Sequence, residues 1–174
     1  LHISEKLFKK FIKNPYLRIF IGGIIIVLLT LILNTTDYNG SGMHIIEEVF
    51  AKGEVRYEAF LLKIIFTAIT IGAGFKGGEI VPTLFIGTTL GGGIALLIGL
   101  NPALGAAIGL AVLFCSVTNC PLATMFIAIE MFGASPVLYI AVACFTSFLL
   151  SGYTSLYSTQ KFIFSKFEEK EIKE

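Results

Sequence analysis

Between Ile80 and Gln160 the chain runs for 81 residues with a single charged side chain, Glu130, although it holds 13 basic and 12 acidic residues in all. A soluble domain carries charge at about a quarter of its positions, so 174 residues offer too little interior to hide such a stretch. With 55% of residues hydrophobic and 14% charged, the polar disordered class is excluded. A net charge of +1 gives no electrostatic footprint for nucleic acid. The fold class expected is an all-α integral membrane protein.

The cysteines Cys115, Cys120 and Cys144 lie inside apolar runs and read as small buried hydrophobes. No disulfide, metal site or cofactor is expected from them. The first apolar run follows lysines but is long enough to span, so it is not a cleavable signal. The chain begins with Leu1 and is expected to be a piece of something longer.

Residues 1–13 carry Lys6, Lys9, Lys10 and Lys13 among aromatics and read as an interfacial helix or linker. Asn14-Pro15 predicts a helix start, with proline at the first helical position. From Ile19 to Thr36 there are 18 uncharged residues, close to the ~20 that a spanning helix needs. A turn-rich loop follows, and residues 43–52 predict a short amphipathic helix with Met43, Ile46, Val49 and Phe50 on one face. A second span runs from about Ala59 to Ala73, with Lys63 expected to snorkel to the interface. Eleven of the 18 glycines then fall between Gly72 and Gly109. Asn101-Pro102, Cys120-Pro121 and Ser135-Pro136 mark helix boundaries. The segments between them are short for a full crossing of ~30 Å. The pairs Gly87/Gly91 and Gly105/Gly109 have the spacing for close helix contact. Residues 157–174 alternate phenylalanine with Lys and Glu and read as an amphipathic tail helix on the cytoplasmic surface.

Gly72-Ala73-Gly74-Phe75-Lys76-Gly77 fits G-x-G-x-x-G, but a dinucleotide site needs a βαβ unit and an acid ~20 residues on. After Glu79 the next acid is Glu130. An anion site fits the context better. Gly78-Glu79-Ile80-Val81-Pro82 lies where one apolar helix ends and another begins. The first N–H groups of a helix lack internal partners, and the helix dipole places partial positive charge there. A broken membrane helix of this kind binds an anion without a fixed cation, which would hold the ion too tightly to release it. A plain reentrant turn, with glycines serving packing only, explains the same residues.

These residues resemble a known family. Gly78-Glu79-Ile80-Val81-Pro82 is similar to the G-x-F-x-P signature of the CLC chloride channels and chloride/proton antiporters. Thr83 to Gly91 resembles the family's next helix, Pro121-Leu122 with Ile129-Glu130-Met131 its Pro-Leu…Leu-Glu-Met helix, and Leu156-Tyr157-Ser158 the site of its central tyrosine. The resemblance implies a carboxy-terminal inverted repeat of short, broken and tilted helices. Residues 14–156 would be its membrane helices, and the amino-terminal half is absent. It further implies backbone N–H groups of Glu79 and Ile80 facing an anion, a hydrogen bond from the Tyr157 hydroxyl, and a packed, hydrogen-bonded or protonated Glu130. The helices around 121–132 and 136–150 would lie near a homodimer interface in the bilayer. The expected location is the cell membrane, as a multi-pass protein of the bacterial inner membrane type.

Two departures bear on function. The family's gating acid belongs to the missing half, and Gly40-Ser41-Gly42 copies its anion tripeptide in what reads as the wrong part of the fold. An acid, Glu79, precedes Ile80, which replaces the signature phenylalanine; this resembles the fluoride/proton antiporter branch, so chloride, fluoride and protons are all candidate cargo. An intramembrane enzyme would need a nucleophile and base in the apolar region, yet His2 and His44 both lie outside it. A structural subunit that uses its glycines only for packing would show no anion-dependent stability.

Overall fold

The computed structural model describes residues 2–153, 155, 156, 160 and 166, without the side chains of residues 2 and 3. The tail expected over 157–174 lies almost wholly outside the described residues. Among those described there are eight helices and no strand. They are α1 (His2–Phe11), α2 (Pro15–Leu33), α3 (Met43–Lys52), α4 (Ala59–Ala73), α5 (Ile80–Leu97), α6 (Pro102–Thr118), α7 (Pro121–Phe132) and α8 (Val137–Leu150).

Proline and asparagine set the starts. Pro15, Pro102 and Pro121 each open a helix, where the missing N–H costs nothing. Asn14 accepts from the Tyr16 N–H at 3.0 Å, and Asn101 from the Ala103 N–H at 2.9 Å, satisfying donors that the helices cannot. Only α2 and α5 are long and apolar enough to cross a bilayer alone; α4, α6, α7 and α8 are apolar but shorter.

The centre of the fold is the α5–α6 pair. A β-carbon on Gly87 would lie 2.7 Å from the Gly109 carbonyl oxygen, and one on Gly105 2.6 Å from that of Gly91. The two Gly-x-x-x-Gly pairs therefore face each other backbone to backbone, as small residues do in membrane interfaces. One apolar cluster joins Tyr38, Ile45, Ile46, Ala59, Phe66 and Phe85 on the α3–α4 side of α5. Another joins Ala107, Ala111, Cys115, Ala128, Ile140 and Cys144 where α7 and α8 meet α6. Cys115 and Cys144 are buried as expected, but Cys120, at the α6–α7 turn, is exposed.

The outer face is apolar too. In α2 only Gly22 is buried, against Ala73, while Phe20, Val27, Leu31 and Ile32 point outward. Leu122, Phe126, Leu138 and Val142 are likewise exposed on α7 and α8. Such a contiguous apolar surface suits lipid or protein contact rather than water.

Three expectations are corrected. In α3 the buried residues are Ile45, Ile46 and Val49, and Met43 faces out. Lys63 does not snorkel: its side chain is buried, and its Nζ donates to the Tyr38 and Gly40 carbonyls at 3.2 and 2.8 Å. The 38–42 loop folds over the start of α4 and supplies those acceptors, so the ammonium turns inward. Glu130 is exposed on α7 and, among the described residues, has no hydrogen bond or ion pair, so it is neither packed nor bonded there.

At the same end of the fold, outside the membrane helices, Asp37 accepts from Arg56 at 2.7 Å and meets the His44 ring at 3.2 Å. The Thr35 hydroxyl, joined by His44 and Arg56 and opposed by partial burial, holds the Asp37 carboxyl below the usual carboxylate range. A depressed folded value adds stability above the unfolded value of about 4, and that stability disappears as pH falls through the folded one. The melting temperature in detergent is therefore expected to drop below about pH 4, and Asp37→Asn should flatten that drop.

Candidate functional site

The chain between α4 and α5 is held at both ends. Gly74 takes φ +100°, a left-handed conformation that ends α4 and that a side chain would strain. The Arg18 Nε donates to the Ala73 carbonyl at 3.1 Å, satisfying a last-turn acceptor of α4 from the neighbouring helix α2. At the other end the Thr83 N–H bonds the Glu79 carbonyl at 3.2 Å, and the Thr83 hydroxyl bonds the same oxygen at 2.8 Å. That fixes the first turn of α5.

The turn leaves donors free. Ile80 and Val81 are the first two residues of α5, and neither N–H has a hydrogen-bond partner among the described residues. Pro82 has no N–H to offer. Glu79 precedes the helix with its carboxylate uncapping, since it makes no bond to the first-turn N–H groups. A β-carbon on Gly77 or Gly78 would meet nothing within 4 Å, so nothing among the described residues requires glycine there. The turn is open to close approach by another group.

Beside it lies a cavity of about 650 Å³, lined largely by apolar atoms. Gly78, Val81 and Pro82 border it, together with Gly77; Glu79 and Ile80 do not, and Ile80 is 39% exposed. Tyr157 lies outside the described residues. The lining also brings in Gly40, Ser41 and Lys63, which sequence reasoning had placed elsewhere, and Thr67 and Thr70, which it had passed over. Gly40-Ser41 thus shares a cavity with Gly77-Gly78, although its place in the chain read as the wrong part of the fold. The available signal was Lys63 itself, the one cation between Arg56 and Lys76. No cluster of three His, Cys, Asp or Glu able to hold a metal occurs among the described residues.

Chemically, the turn offers two unpaired N–H groups, a positive helix end and a nearby buried ammonium, within apolar walls. That combination favours a small anion.

Known proteins resemble the chain over most of its length. Residues 1–152 match the voltage gated chloride channel family. A chloride/fluoride channel protein of Pseudomonas syringae pv. tomato is 36% identical over 164 residues, which is 91% of this chain and 36% of that protein. An uncharacterised protein of Methanocaldococcus jannaschii is 30% identical over 126 residues, 70% of this chain and 31% of that protein. The crystal structure of a CLC-type fluoride/proton antiporter matches with a TM-score of 0.86 at 35% identity, over 92% of this chain and 40% of that one. The chain spans about a third of the length of the curated relatives it matches.

Proposed function

The chain belongs to the voltage-gated chloride channel family, and on that premise we propose that it builds part of the anion path of a membrane chloride transporter. The observation that carries this reading is the pair of unpaired N–H groups on Ile80 and Val81 at the start of α5, of which Val81, with Gly77, Gly78 and Pro82, borders the 650 Å³ cavity. Gly78, Glu79, Ile80, Val81 and Pro82 form the turn that presents them, and Tyr157 is assigned the remaining hydrogen bond by resemblance. Oriented backbone dipoles need no reorganisation when the ion arrives, and they bind it weakly enough to let it leave.

We read the chain as the carboxy-terminal half of the transporter, with the exposed apolar faces of α7 and α8 meeting a second copy in a bacterial cell membrane. Transport is expected of the full-length protein reconstituted in liposomes, and not of these 174 residues alone. Chloride flux from the isolated chain would contradict the assignment.

Glu79 favours a second reading, fluoride/proton exchange. Its carboxylate makes no hydrogen bond to α5 and stays available to accept one from HF or to carry a proton. Flux of chloride and fluoride through the full-length protein, with and without Glu79→Ala, separates the two. Under fluoride/proton exchange the substitution abolishes fluoride selectivity and proton coupling. Fluoride selectivity that survives it removes Glu79 from the mechanism.

A further inference from the structure

The ammonium of Lys63 is buried, with 1% of the residue exposed, and among the described residues no carboxylate lies within ion-pair distance of it. Burying a charge without a counter-charge is costly, and hydrogen bonds to neutral groups offset only part of the cost. Two bonds are present, to the Tyr38 and Gly40 carbonyls at 3.2 and 2.8 Å. The Phe85 ring, with its centroid 4.9 Å from Nζ, adds a weak attraction. An ammonium has three donors, so one remains. Lys63 borders the same cavity as Gly77, Gly78, Val81 and Pro82.

We propose that Lys63 is the fixed positive charge of this anion site, attracting a monovalent anion into the cavity beside the start of α5. The proposal rests on the anion-path reading above and changes it in one respect: the path holds a cation, set in its wall instead of at the ion's contact point. The 38–40 carbonyls hold the ammonium back from direct ligation. It thus raises local anion concentration without trapping the ion. The anion in turn supplies the counter-charge that the buried ammonium lacks.

The test is calorimetric titration of chloride and fluoride into the full-length protein in detergent, with gluconate as the control anion. Lys63→Arg keeps the charge and is expected to stay within about threefold of wild-type affinity. Lys63→Gln keeps donors for the two carbonyls but loses the charge, and is expected to bind about tenfold more weakly. Equal affinity in Lys63→Gln makes the residue a tether of the 38–42 loop and overturns the proposal. A second readout needs no loss-of-charge variant to fold. The Nζ resonance of Lys63 in ¹⁵N-lysine-labelled wild type, assigned by its absence in Lys63→Arg, should shift over the concentration range of the calorimetric curve. A resonance that stays put while chloride binds also overturns it. Failure of the wild type to bind either ion removes the anion-path reading itself, a different outcome from binding that ignores Lys63.

Discussion

Gly91→Leu is expected to yield protein that does not assemble the α5–α6 pair and elutes as aggregate from gel filtration in detergent. A β-carbon at Gly91 would lie 2.7 Å from the Gly109 Cα and 3.0 Å from its nitrogen, and would press still harder on the Gly105 carbonyl oxygen. Every one of those atoms is backbone, so no side chain can rotate away. The helices would have to separate along the contact that also holds Gly87, Gly105 and Gly109. Overpacking a core costs about 1–3 kcal/mol when side chains can give way, and here the cost is set by moving two helices. Within a membrane the lost van der Waals contact is not replaced by a hydrophobic drive. Gly91→Ala should fold with a markedly lower melting temperature. Gly23→Ala is the control, because its β-carbon would meet only the Phe75 ring at an ordinary 3.7 Å. A Gly91→Leu protein that melts with the wild type would refute the backbone-to-backbone contact.

That contact shows where the sequence was legible. The two Gly-x-x-x-Gly pairs announced close packing, and the structure supplies the partner: each other. Helix starts were legible because proline acts locally, at Pro15, Pro102 and Pro121. The turn at Gly78–Pro82 was legible for the same reason, since glycines end one helix and Pro82 suits the first turn of the next. Inward and outward faces were not. In a bilayer both lipid and core are apolar, so periodicity does not tell a buried Ile45 from an exposed Met43. The direction of Lys63 depended on carbonyls 23 and 25 residues away, brought over α4 by the fold of the 38–42 loop. The shared cavity of Ser41 and Gly78 is non-local in the same way. Glu130 was read as packed because its position in the family resemblance looks structural; on α7 it faces outward, without a partner among the described residues.

Val81→Pro is expected to remove anion affinity while leaving the fold in place. Val81 is the second residue of α5, and proline is tolerated in a helix's first turn because no intrahelical bond is lost there. Pro82 already occupies the next position, so the backbone accommodates a pyrrolidine ring at this turn. The substitution therefore deletes one N–H and little else. A hydrogen bond to a charged partner is worth about 1.5–3 kcal/mol, which corresponds to roughly a ten- to hundredfold loss of chloride affinity in the full-length protein. Val81→Ala keeps the N–H and removes side-chain volume; it should bind within about threefold of wild type. The pair separates backbone donation from the shape of the cavity wall, which no side-chain truncation does on its own. Undiminished binding by Val81→Pro, at an unchanged melting temperature, would mean that the Val81 N–H does not hold the ion. The Ile80 N–H and the Lys63 ammonium would then be left to supply the attraction.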